Sequence, residues 1–231
     1  MSREVSDPDP AAWVGRQEQA TERLGPSPPR ALAATLDHAP QAFDDGTLLP
    51  PLWHWLYFLP LHRARDIGAD GHARLGGFLP PVPLPRRMWA GSRFVFHAPL
   101  RVGDIVTRRS TLESVQPKSG RRGPLVFVTV RHELSTAGGP ALTEWHDIVY
   151  RPAPVPGEAQ AEPRPAPAEA QWCDPLLPDD VLLFRYSALS FNGHRIHYDR
   201  RYVTAYFSPS WTAFQADGGR DFSVIVDGVS V

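Results

Sequence analysis

Leu125-Val126-Phe127-Val128-Thr129-Val130-Arg131-His132-Glu133 is the stretch that decides the fold of this chain. Its β-branched and aromatic residues favour an extended backbone and predict a strand. Two further strands are predicted on either side of it, from Ile105 to Val115 and from Ala141 to Tyr150. Turns are predicted at Pro117–Gly120 and Gly138–Pro140. Consecutive strands joined by short turns predict an antiparallel meander.

A helix is predicted ahead of the meander. Ser27 suits the cap position, and Pro28 suits the first turn, where its missing N–H would have no partner. Leu32 and Leu36 then share one face of the helix. One helix against an antiparallel sheet indicates the α+β class.

An aromatic window, from Leu48 to Leu61, follows the helix. It predicts either a helix buried nearly all round or an aromatic-rich strand and turn, and periodicity does not choose between them. We interpret its aromatic residues as core: Trp53, Trp55, Tyr57 and Phe58. The proline-rich run Gly76–Pro85 excludes a regular helix and predicts a shaped loop.

Composition divides the chain into four parts. We predict a disordered N-terminus at 1–10, a folded domain at 11–151, a Pro/Ala-rich linker at 152–177 and a second segment at 178–231. The second segment opens with Val181–Ala188, which its apolar and aromatic content predicts as a strand.

The bulk numbers exclude several classes of function. A net charge of -1 provides no basic field for nucleic acid or anionic lipid. Cys173 is the single cysteine, which excludes an intramolecular disulfide and makes a cysteine metal site implausible. The sequence shows neither a signal peptide nor an apolar run long enough to span a membrane, so a cytoplasmic location is expected.

The second segment carries a cluster of polar groups that suits proton transfer: Asn192, His194 and His197. Histidine exchanges protons near neutral pH, with a reference pKa of ~6.5, and an amide can orient its neighbours. The spacing of the two histidines also occurs in metal sites, but no third ligand stands out, so no metal is predicted. On residue type alone, surface or hydrogen-bonded histidines remain the commoner interpretation. Ser187 and Ser190 lack the turn that exposes a nucleophilic serine.

The run Ser187–Asp199 resembles the signature of type-2 hydroxyacyl-thioester dehydratases of the MaoC-like hot-dog superfamily. Asn192 falls where the broader hydratase pattern has Asp, and His197 falls on its His. The run Phe191–His197 therefore carries a variant of the hydratase pattern. This variant resembles the one in the mesaconyl-C4-CoA (3-methylfumaryl-CoA) hydratase branch. Six stretches of the first domain resemble the same branch: Trp13–Arg16, Leu52–Phe58, Gly68–His72, Gly76–Pro81 with Arg86–Gly91, Lys118–Arg121 and Asp147–Arg151.

The resemblance implies a double hot dog, in which each half is a long helix wrapped by an antiparallel sheet. It implies that the first half shapes the acyl pocket and the second carries the catalytic residues. Its activity would be hydration or dehydration of an acyl-CoA thioester, with mesaconyl-C4-CoA and citramalyl-CoA as the expected pair. His197 is the expected proton-transfer group, Asn192 an orienting residue, and His194 a substrate-binding residue. No cofactor is expected. The protein is expected to form a homodimer.

The resemblance ends near residue 204, so an incomplete second half is expected, and with it weak or absent activity of the chain alone. Two other functions stay open: a non-catalytic subunit that binds acyl thioesters, and a hot-dog thioesterase.

Overall fold

Within the part of the chain that the structure describes, the sheet contains six antiparallel strands in the order β1-β3-β4-β5-β2-β6. A computed structural model describes residues 9–120, 123–153, 178–199, 201–202 and 223–225. The strands are β1 (Gln17–Arg23), β2 (Arg86–Phe96), β3 (Ile105–Gly120), β4 (Gly123–Thr136), β5 (Gly139–Arg151) and β6 (Ser223–Ile225). Together with the two helices described below, this sheet confirms the predicted α+β class.

The predicted meander is β3-β4-β5. Its second turn is confirmed, because Thr136 pairs with Gly139 across a tight hairpin. The first predicted turn is wrong: β3 continues through Pro117 to Gly120, and Lys118 pairs with Leu125. The proline is tolerated because a strand of 16 residues reaches beyond the core, where its outer residues are exposed.

The described residues form two α-helices, α1 (Ser27–Thr35) and α2 (Asp180–Leu189). Pro26 occupies the cap of α1, so the prediction of Ser27 as the cap is wrong. With nine residues, α1 is also shorter than the long helix that the resemblance implies.

The strand predicted at Val181–Ala188 is wrong, because this run forms α2. The carboxylate of Asp179 accepts the backbone N–H of Leu182 at 2.7 Å and caps the helix. The cap supplies a partner to one of the otherwise unpaired N–H groups at a helix start. Several apolar side chains of α2 stay exposed, including Val181 and Phe184.

The aromatic window forms neither of the predicted alternatives. It contains one 3-10 turn at Trp53–Leu56, preceded by Leu52 at φ 69° and followed by Phe58 at φ 54°. These left-handed residues let the chain fold its aromatic rings inward without a regular element. The prediction that the rings belong to the core is confirmed, since Tyr57 and Phe58 are buried. The shaped loop predicted at Gly76–Pro85 is also confirmed.

Two apolar clusters cover one face of the sheet. Alternate residues of β5 face this side, with Leu142 in the first cluster and Ile148 and Tyr150 in the second. Between them, β5 directs Glu144 and His146 to the same side. The core is therefore interrupted by a band of polar groups.

Several predictions lie outside the described residues: most of the linker at 152–177, nearly all of the disordered N-terminus at 1–10 and nearly all of the divergent tail after 203. Among the residues that the structure describes, no helix is both long and apolar enough to cross a membrane.

Candidate active site

The histidine motif begins where α2 ends. Phe191 adopts a left-handed φ of 50°, and the backbone N–H of Asn192 donates to the carbonyl of Ser187 at 2.8 Å. The side-chain oxygen of Asn192 then accepts the backbone N–H of His194 at 3.0 Å. A 3-10 turn at Arg195–His197 follows, so the rings of His194 and His197 meet edge to face at 5.8 Å.

The motif docks on a loop of the first segment, residues 68–74, which we call the docking loop. The backbone N–H of Arg195 donates to the carbonyl of Asp70 at 2.9 Å, and its guanidinium reaches the carbonyl of Ala69 at 3.2 Å. Gly71 and Gly193 touch backbone to backbone at this contact, and a Cβ on Gly71 would overlap the carbonyl of Gly193. Two glycines therefore let the segments approach closely.

This docking brings two residues to the site that the sequence did not assign to it, Asp70 and His72. Asp70 Oδ2 lies 3.2 Å from His72 Nδ1, and the His72 ring lies 3.9 Å from the ring of His194, centroid to centroid. Both residues belong to Gly68–His72, one of the stretches that resemble the family. The signal that could have found them was a carboxylate and an imidazole two residues apart around a glycine.

Burial and neighbouring positive charges lower the pKa of every histidine in the cluster. Burial, followed by the charges of His72 and His197, lowers the pKa of His194 to about 3. Burial also lowers the pKa of His72 and His197, although the Asp70 hydrogen bond partly offsets this at His72. All three are therefore mainly neutral at pH 7, the form in which an imidazole can accept a proton.

One positive and one negative group flank these rings. Burial raises the pKa of Asp70, but the hydrogen bonds from His72 outweigh it and bring the pKa to about 2. The charge of Arg87, on β2, acts in the same direction on Asp70 and lowers the pKa of both His72 and His194. The cluster thus contains a fixed anion and a fixed cation.

Asp199, the carboxylate nearest to the motif in sequence, is engaged elsewhere. Its Oδ2 accepts from Arg195 Nε at 3.0 Å and from Nη2 at 2.6 Å, and its Oδ1 accepts the backbone N–H of Tyr202 at 3.0 Å. Both of its carboxylate oxygens are therefore engaged by partners within its own turn.

Exposure separates the histidines into two kinds. The His194 side chain is buried at 6% exposure, whereas that of His72 is 26% exposed and His197 is half-buried. A substrate can therefore meet His72 and His197 more readily than His194. Polar atoms of Asp70, His72 and His194 lie within 4.8 Å of one another, close enough for a cation, but Asp70 and His72 already hydrogen-bond each other. This pairing favours proton transfer.

The two serines do not form a nucleophile. Ser187 is buried, and the Ser190 hydroxyl donates to the backbone carbonyl of Tyr186 at 2.9 Å within α2.

A second polar cluster, which we call the polar belt, crosses the core between the apolar clusters. The buried carboxylate of Glu144 contacts His54 Nε2 at 3.1 Å and accepts from Trp55 Nε1 at 3.1 Å and Ser92 Oγ at 3.4 Å. Burial alone would raise the pKa of Glu144, but hydrogen bonds from His146 and His54 bring it well below its usual range. The belt is completed by His132, His146 and Ser110.

Comparison with known proteins places these features in one family. The family model for hydroxyacyl-thioester dehydratase type 2 matches residues 52–209. A mesaconyl-C(4)-CoA hydratase of Chloroflexus aurantiacus is 44% identical over 199 residues, which is 86% of this chain and 71% of that protein.

Solved structures agree on the fold. A MaoC-like dehydratase superposes with a TM-score of 0.58 at 16% identity, over 89% of this chain and 74% of its own. HtdX of Mycobacterium tuberculosis gives a TM-score of 0.54 at 18% identity, over 86% and 70%. These superpositions confirm the predicted hot-dog fold.

Proposed function

The chain belongs to the hydroxyacyl-thioester dehydratase type 2 family, whose members are hydro-lyases of acyl thioesters, and we propose that it hydrates a branched, unsaturated dicarboxylyl-CoA such as mesaconyl-C4-CoA to citramalyl-CoA. The observation that supports this reaction is the packing of His197 and His194 with a third histidine, His72, and the carboxylate of Asp70. Hydration needs groups of this kind, because one proton leaves water and one reaches Cα.

His197 is proposed as the proton-transfer group. Its half-buried ring has a lowered pKa, so the neutral form that accepts a proton from water dominates near pH 7. Asn192 acts as an orienting residue, because its side-chain oxygen fixes the backbone of His194 and thereby the turn that carries His197. His194 is proposed to contribute to substrate binding through the wall it forms between the two more exposed histidines.

A dicarboxylyl acyl group is favoured by charge. Arg87 faces the cluster from β2, and one of its nitrogens lies 3.5 Å from the carbonyl of Ala73 in the docking loop. A guanidinium suits the free carboxylate of such a substrate better than the end of an uncharged acyl chain. The C. aurantiacus relative, whose name specifies mesaconyl-C(4)-CoA, supports the same substrate class.

The test is a hydration assay on the purified chain with mesaconyl-C4-CoA and with crotonyl-CoA, following loss of the enoyl-thioester absorbance and the product mass. We expect hydration of the dicarboxylyl substrate in preference, and a loss of roughly 10²–10⁴-fold in His197→Ala. His62→Ala, at an exposed histidine of the first segment, is the matched control.

Three results would contradict the proposal. Release of free CoA thiol, detected with a thiol-reactive dye, would assign a thioesterase instead. Binding of the CoA ester without turnover would assign a non-catalytic subunit. Equal rates for the wild type and His197→Ala would remove His197 from the mechanism. A homodimer is proposed as well, and light scattering after size exclusion measures it.

A further inference from the structure

The histidine motif takes its carboxylate from another part of the chain. Asn192 replaces the Asp of the broader hydratase pattern, and Asp199 is held by Arg195 and Tyr202. The carboxylate that lies against the histidines is Asp70, in the docking loop ahead of β2. Its side chain hydrogen-bonds His72, and its backbone carbonyl holds the motif through the N–H of Arg195.

The hydrogen bond to Asp70 determines which nitrogen of His72 exchanges protons. Because a carboxylate only accepts, His72 donates Nδ1–H to Asp70 Oδ2, and the neutral ring carries its lone pair on Nε2. When His72 binds a second proton, the adjacent carboxylate stabilises the imidazolium. A carboxylate behind a histidine plays this part in many acid–base sites.

The charges around His72 limit the three imidazoles of the cluster to no more than one extra proton at a time. The groups that face it are Asp70 from its own loop, Arg87 from β2, and His194 and His197 from the motif. Three imidazoles this close repel a second proton and titrate as a unit. Asp70 favours His72 as the location of the shared proton.

We infer, on the basis of the proposed function, that His72 is a second catalytic residue of the hydration and that Asp70 is its positioning residue. His197 takes a proton from water while the water oxygen bonds to Cβ. The π electron pair of the double bond moves towards the thioester carbonyl and returns to Cα, which takes the proton of the His72 imidazolium. Transfer of the proton on His197 back to His72 restores the cluster. In dehydration the two histidines exchange roles.

The test compares pH profiles of kcat and KM for hydration of mesaconyl-C4-CoA by the wild type, His72→Gln, His197→Gln and Asp70→Asn. Matched controls are His62→Gln and Asp66→Asn, exposed residues of the same irregular segment. We expect His72→Gln to lower kcat by roughly 10²–10³-fold with little change in KM. It should also lose the alkaline limb of the profile, whereas His197→Gln should lose the acidic limb.

Asp70→Asn gives a readout that a purely structural role would not produce. Removing the carboxylate destabilises the imidazolium of His72, so we expect the alkaline limb to move to lower pH and kcat to fall about ten-fold or more. Thermal melts of each variant check that the fold is intact.

The outcomes separate this inference from the function it rests on. A wild type without hydration activity overturns both. An active wild type with near-normal His72→Gln overturns the inference alone. A slow His72→Gln with an unchanged pH profile assigns a structural role and also overturns it. Loss of wild-type activity after dialysis against EDTA would assign a bound cation to the cluster and overturn it too.

Discussion

The polar belt and the histidine cluster contain the same residue types but differ in how fully those groups are paired. In the belt, the carboxylate of Glu144 has partners on His54, Trp55 and Ser92 and is almost completely buried. In the cluster, the carboxylate of Asp70 hydrogen-bonds one imidazole, that of His72, and the His72 side chain remains 26% exposed. A saturated network stabilises one conformation, whereas partly paired and partly exposed groups can exchange protons with a ligand.

The largest effect is expected when the acceptor of the belt is removed. Glu144→Ala leaves several buried donors without a partner, and we expect it to lower the free energy of unfolding by about 3–5 kcal/mol. Urea denaturation followed by circular dichroism measures the change. Glu133→Gln, on a partly exposed carboxylate of β4, is the control and should change stability by under about 0.5 kcal/mol. Equal effects of the two substitutions would mean that the belt does not stabilise the core.

A smaller effect is expected where the motif meets the docking loop. Gly71→Ala meets both a φ of +90° and the backbone of Gly193, whereas Gly76→Ala meets a φ of +94° with open space around it. Both should lose about 1–2 kcal/mol from the left-handed backbone. Activity should fall only in Gly71→Ala, because it displaces the histidines from Asp70. Equal hydration rates in the two variants would show that this docking is not needed for catalysis.

The smallest effect is expected in the acid stability of the belt, through His132. Burial lowers the pKa of His132 to about 3, against an ordinary value of ~6.5 in the unfolded chain. Between these values the unfolded chain binds the extra proton. The contribution of His132 to stability is therefore complete above pH 6.5 and is lost as pH falls towards 3, by up to ~1.4 kcal/mol per pH unit.

His132→Gln removes this titration and should make the loss of stability between pH 6 and 5 shallower by about 1 kcal/mol. Denaturation at both pH values checks it. His97→Gln, at an exposed histidine, is the control and should leave the slope unchanged. A slope equal to that of the wild type would mean that His132 titrates normally in the folded protein.

The errors of the sequence predictions have local physical causes. Val181–Ala188 has the composition of a strand, but the capping hydrogen bond of Asp179 and the packing of Leu189 on the core stabilise a helix there. Pro117 predicts a turn, yet it lies in the part of β3 that extends past the core, where a missing N–H costs little. In the first case the cap and the packing outweigh the strand preference of the residues, and in the second the exposed setting removes most of the cost of the proline.

The sequence by itself determined the antiparallel meander, the family and the identity of the histidine motif. These follow from residue order, because β-branched runs, turns and a motif of fixed spacing are local properties. It could not show that Asp70 and His72 join His194 and His197, which follow them by more than 120 residues.

The contact of Asp70 and His72 with His194 and His197 arises only from the tertiary structure. It depends on two glycines that allow backbone contact and on the hydrogen bonds of Arg195 to Asp70 and Ala69. It also decided which carboxylate serves the histidines. The local one, Asp199, is neutralised by the arginine four residues before it, while the distant one becomes the partner of His72. The sequence contains the residues of the site, but the pairing of their charges depends on distances that arise only when the chain folds.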